Sequence, residues 1–224
     1  MSLPYYVPPE QLMKDRAEYA RKGIARGRSI VAVEYADGAL LLAENPSGAL
    51  HKIGEIYDRI AFAGVGKYNE FEALRVAGIR HADLKGYAYA REDVTARGLA
   101  NAYAQTLGHI FTQEVKPYEV EVMVVEVGLD PPENRIFRVT YDGTLYDESH
   151  LAAIGGGDEQ LRARLQSRFE PGAPLATVLQ WARESFEEDR DEPMPGDAWE
   201  AAVVDRTLGR RAFRRLTGPE IVGA

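Results

Sequence analysis

Gly64-Val65-Gly66-Lys67 is the first group of residues with chemistry to test, because glycine amides ahead of a lysine cradle phosphates in nucleotide-binding loops. The spacing fails. Ala61 stands where such a loop needs its first glycine, and Tyr68 follows where Ser or Thr would hold magnesium. Gly155-Gly156-Gly157 precedes a helical segment and could seat an anion on that helix's first amides, but a tight strand-to-helix turn explains it more simply. His51, His81, His109 and His150 are scattered, without metal-ligand spacing such as HExxH, so no metal is expected. No GxSxG occurs; Ser47 lies in Asn45-Pro46-Ser47-Gly48. The acidic run from Glu187 to Glu192 lacks the spaced ligands of a calcium loop and is expected to be a solvated loop. Zero cysteines exclude disulfides, thiolate metal sites and a cysteine nucleophile together. No cofactor is implied.

Composition narrows the classes further. The 224 residues carry 27 Lys plus Arg against 35 Asp plus Glu, a net charge of −8, with 45% hydrophobic and 28% charged residues. These are the proportions of an ordinary globule. A chain this acidic, with no basic stripe, is not expected to bind nucleic acid. No apolar run approaches the roughly 18 residues of a membrane span. Met1 to Glu10 has neither the basic start nor the apolar core of a secretory signal, so a cytoplasmic location is expected.

The elements that would position any site follow from periodicity and turn chemistry. Pro8-Pro9 ends a short first segment, and a helix is predicted from Glu10 to about Arg26, with Met13, Ala17, Ala20 and Ile24 on one face. A hairpin follows, Ser29 to Tyr35 against Ala39 to Ala43, with Asp37-Gly38 as its turn. His51 to Ile53 and Arg59 to Ala63 are short strands. Helices are predicted at about Tyr68 to Lys85 and from Asp93, as N-cap, to Gln113. Glu119 to Val127 is apolar on both faces and belongs inside a sheet. Strands at Arg135 to Tyr141, Thr144 to Tyr146 and His150 to Ile154 lead into a helix capped by Asp158. A helix at Pro174 to Phe186 and strands at Ala198 to Asp205 and Arg211 to Leu216 close the chain. Hairpin blocks separated by helix pairs give antiparallel sheets rather than a parallel one. Two facing sheets, each with a helix pair outside, accommodate the order as an α+β fold.

Several stretches together carry a family resemblance. Glu18-Tyr19-Ala20-Arg21-Lys22-Gly23 through Val33, then Asp37-Gly38-Ala39-Leu40-Leu41-Leu42-Ala43, resemble the first helix and hairpin of a proteasome α-subunit. Lys52-Ile53, Ala63-Gly64-Val65-Gly66 and the Ala153 to Gly157 turn continue it. Ser2 to Gln11, Gly86-Tyr87-Ala88-Tyr89 and Lys116-Pro117-Tyr118-Glu119-Val120-Glu121 are similar to the actinobacterial branch. The longer polar tail common in that branch does not follow Ala224.

The resemblance implies a four-layer αββα sandwich, of the N-terminal-nucleophile hydrolase superfamily, as one domain over residues 10–224. It implies a heptameric ring of this chain, stacked on β-subunits in the core particle of a threonine-type endopeptidase complex for protein degradation. Residues 1–9, with Leu3, Tyr5, Tyr6, Val7, Pro8 and Pro9, would form the gate. Lys52, Glu18 and Gly66 would receive the C-terminal tail of a ring-shaped AAA ATPase: the lysine a cation for the terminal carboxylate, Glu18 its orienter across the subunit boundary, Gly66 room for the incoming backbone. Active relatives use an N-terminal threonine whose own α-amine is the base. Its equivalent here is Arg28, neither nucleophile nor base, behind a leading helix. The only Gly-Thr pair, Gly143-Thr144, lies too far along to be processed. A non-catalytic gating subunit is therefore expected; the alternative is an active hydrolase whose Ser29 is freed by cleavage after Arg28.

Overall fold

The computed structural model describes residues 8–223. In chain order the elements are α1 (Pro9–Ala25), β1 (Ile30–Tyr35), β2 (Gly38–Glu44), β3 (Ile53–Tyr57), β4 (Ile60–Gly66), α2 (Tyr68–Ala88), α3 (Ala96–Gln113) and β5 (Val120–Glu126). There follow β6 (Arg135–Val139), β7 (Leu145–Glu148), β8 (Leu151–Ile154), α4 (Asp158–Arg168), α5 (Leu175–Glu187), β9 (Trp199–Asp205), β10 (Phe213–Arg215) and α6 (Gly218–Val222). The strands form two five-stranded antiparallel sheets, ordered β10-β9-β2-β1-β8 and β3-β4-β5-β6-β7. The α+β sandwich is the one expected.

Period-two alternation divides the core into three layers. Ile30 and Ala32 of β1 point between the sheets with Leu41, Ala63, Met123 and Ala202. Val31 and Val33 point the other way, under α4 and α5, against Leu165, Val178 and Leu179. Phe62, Val122, Val124 and Phe137 pack beneath Phe71, Leu99 and Leu107 of α2 and α3. Strands buried on both faces read as unbroken apolar runs, which is why β2 and β5 lack polar alternation. Ala20 and Ile24 of α1 are buried in the inter-sheet layer, with Ala17 packed against it. The apolar stripe of α1 thus closes the chain's own core, and only Leu12 and Tyr19 of this helix remain as large exposed hydrophobic residues.

Local chemistry moves several boundaries. Tyr35 pairs with Gly38, so the hairpin turn is Ala36-Asp37 and Gly38 opens β2. Glycine is needed there because a Cβ would lie 2.0 Å from the Val204 carbonyl oxygen on neighbouring β9, not for a positive φ. Thr95, not Asp93, caps α3, its hydroxyl accepting from Gly98 N at 3.2 Å. Asp93 ends a separate 3-10 turn and accepts from Ala90 N. Gly157, at φ +87°, is the N-cap of α4, and Asp158 is that helix's first residue. Pro9 is the first residue of α1, where its missing N–H costs nothing. The acidic run is not simply solvated: Glu188 and Asp189 pair with Arg164, and Glu188 also with Arg168. The short α6 was not expected.

Candidate functional site

The start of β1, the end of β2 and the entry to β3 meet at one end of the sandwich. Lys52, just ahead of β3, reaches across to the other sheet, its Nζ donating to Arg28 O at 2.9 Å and Glu44 O at 3.2 Å. Gly64 N donates to Lys52 O at 3.0 Å, so Lys52 and the end of β4 at Gly66 share this end of the molecule. Burial is the main cause that lowers the Lys52 pKa, which comes to about 8 once the opposing Glu200 carboxylate and the smaller lowering by the Arg28 charge are included. Arg28 pairs with Glu44, whose other carboxylate oxygen takes Arg190 at 2.8 Å. Ser29 is buried and donates to Gly156 O. A cavity of about 530 Å³ opens beside Arg28, Glu44, Gly157 and Arg190.

Glu18 stands apart. It is exposed on α1 and pairs with Lys22 at 2.7 Å, which lowers its pKa. Among the described residues no hydrogen bond or ion pair joins it to Lys52. Gly66 has φ +106°, and a Cβ on it would lie 1.9 Å from Glu119 O, just ahead of the adjoining β5. The backbone that already demands glycine at this position belongs to the same chain. Leu3, Tyr5, Tyr6 and Val7 lie outside the described residues; Pro8 is extended and Pro9 helical. Among the described residues no three His, Asp or Glu gather as metal ligands, and no helix is long and apolar enough to cross a membrane.

Glu200 was missed by sequence reasoning. It is buried on β9, and its carboxylate accepts from Lys52 N at 2.8 Å, Ile53 N at 3.1 Å, Asn45 Nδ2 at 2.7 Å and Arg215 Nη1 at 2.9 Å. It fixes the backbone of Lys52 and supplies the negative field that partly restores the lysine's charge. The signal was present: Glu200 is the lone acid inside the apolar run Trp199 to Val204.

Comparison with known proteins decides the family. The family model for proteasome subunits matches residues 24–204. The chain belongs to the proteasome subunit family. A Kineococcus radiotolerans protein named proteasome subunit alpha is 58% identical over 231 residues, covering 100% of this chain and 98% of the relative. Relatives of the same name from Streptosporangium roseum and Thermomonospora curvata are each 56% identical over 99% of this chain, covering 86% and 96% of their own lengths. The end of the sandwich that holds Lys52 is also where β1 begins. Here it holds an arginine in an ion pair.

Proposed function

We propose that this chain is the non-catalytic α-subunit of a proteasome core particle in the cytoplasm. In this reading it assembles as a heptameric ring, templates the β-subunits that carry the threonine nucleophile, gates substrate entry with residues 1–9 and docks a ring ATPase through Lys52. The observation that carries it is Arg28 at the head of β1. An N-terminal nucleophile needs a hydroxyl and a free α-amine at that point. Arg28 offers a guanidinium bound to Glu44, and α1 is packed into the inter-sheet core ahead of it. Ser29, the alternative nucleophile, has its hydroxyl donated to Gly156 O and lies buried. Freeing it would require removing α1 and uncovering Ala20 and Ile24.

Mass spectrometry of the chain after assembly with its β-subunit tests this directly. The proposed subunit keeps its leading helix at the full 24.9 kDa. A product beginning at Ser29 that hydrolyses peptides would establish the hydrolase instead. For docking, Lys52→Ala is expected to lose ATPase-stimulated degradation while the ring still assembles. A normal response to the ATPase would place the cation elsewhere.

A further inference from the structure

Glu70, in the first turn of α2, is a buried acid with no part in the site described above. A carboxylate so far from water must be neutralised. It accepts from Lys116 Nζ at 2.7 Å and from Glu119 N at 2.7 Å. Both partners lie on the connection between α3 and β5, residues 114–119, which Glu70 thereby anchors to the body of the fold.

The same connection holds α1 at three levels. Arg16 donates to Phe111 O and Glu114 O, and to Val115 O at 3.3 Å. The last carbonyls of a helix have no partner within it, so this guanidinium caps α3 from a different helix. Further along α1, Tyr19 receives the Lys116 ammonium over its ring, 5.5 Å from the centroid. Beyond it Gly23 faces Glu119; a Cβ there would fall 2.3 Å from the Glu119 carboxylate. Arg16, Tyr19 and Gly23 have the i, i+3, i+7 spacing of one helix face. On its other side Glu119 lies against the docking end of the fold. Its carbonyl accepts from Lys67 N at 2.9 Å and occupies the space a Cβ on Gly66 would need.

We infer that residues 114–119 are a clamp that sets the pose of α1 on the sandwich, with Arg16 as its positioning residue. The pose of α1 fixes where the helix begins, at Pro9. Any effect on gating rests on the gating reading above; the clamp itself does not.

Hydrogen exchange on the full chain tests the clamp. Arg16→Ala removes charge-assisted bonds, and amides of α1 are expected to exchange about tenfold faster or more, with β4 and β5 unchanged. Arg16→Lys keeps the charge without the fork and should fall between; it carries the test if Arg16→Ala does not fold. Unchanged exchange in α1 overturns the clamp. In particles assembled with the β-subunit, Arg16→Ala should speed hydrolysis of a small fluorogenic peptide, and add nothing once residues 2 to 8 are deleted. If the deletion alone leaves hydrolysis unchanged, the gating reading fails and exchange still judges the clamp. If the deletion speeds hydrolysis and Arg16→Ala does not, the link from clamp to gate is overturned.

Discussion

Lys52 spends two of its three N–H donors on carbonyls of its own chain, Arg28 O and Glu44 O, leaving one for an outside acceptor. Burial lowers its pKa to about 8 from the ordinary 10.5. A base whose pKa falls on folding binds fewer protons folded than unfolded between those values. Its burial penalty is therefore constant below about 8, and stability rises with pH across the window above it. Binding of a terminal carboxylate runs the other way. Affinity is full below about 8 and falls as the ammonium deprotonates, so anisotropy of a labelled ATPase-tail peptide on the assembled ring should drop through that pH. Lys52→Arg cannot lose its proton and should flatten the profile; a flat wild-type profile would remove Lys52 from the contact. Gly66→Ala tests a different point. A side chain at φ +106° that also meets the Glu119 carbonyl should cost about 2–3 kcal/mol. A melting temperature lower by about 4–12 °C would follow, so lost docking in this variant would report the fold as well as the pocket.

Hairpin blocks and helix pairs were legible because their signals are local and repeated. Buried strands such as Val120 to Glu126 carry apolar residues on both faces, and the helices carry stripes. What was not legible depends on strands distant in sequence. Gly38 resembled a turn glycine, yet its reason is the Val204 carbonyl 166 residues later. Gly66 was chosen for docking, yet its nearest constraint is Glu119. Of the docking trio, Lys52 and Gly66 share one end of the sandwich, while Glu18 has its partner on its own helix. The start of α3 shows the same limit on a smaller scale, since Asp93 and Thr95 are both good caps and only the backbone path selects Thr95. Thr95→Ala should cost about 1 kcal/mol and Thr95→Ser almost nothing. Thermal melts of the full chain would separate them by about 2–4 °C. Equal melting temperatures would mean that the Thr95–Gly98 bond contributes nothing net.

At the scale of the whole molecule, the layers leave little apolar surface without a use. The three cores absorb both sheets and the inner faces of α1 to α5. The large hydrophobic residues left most exposed include Leu84 at 71%, Tyr87 at 93% and Tyr89 at 78%, grouped at the end of α2, with Leu129 at 74% and Val115 at 95%. Stable complexes bury about 1,200–2,000 Å² in all, more than scattered side chains supply, so partners must also cover polar surface. A net charge of −8 makes copies of this chain repel one another at long range. Raising the salt from about 0.02 to 0.2 M shortens that repulsion to within about a nanometre and should favour self-association. Mixing with the β-subunit should then give a complex many times the 24.9 kDa chain mass by light scattering. Tyr87→Asp and Tyr89→Asp together add two charges to the exposed aromatic group without touching a core layer. If that group meets the β-subunit, this variant should leave the chain's melting temperature unchanged and shift assembly to higher β-subunit concentration. Assembly at the wild-type concentration would place the β contact on another face. Species of only 24.9 kDa in the wild-type mixture, at any salt, would remove the assembly reading altogether.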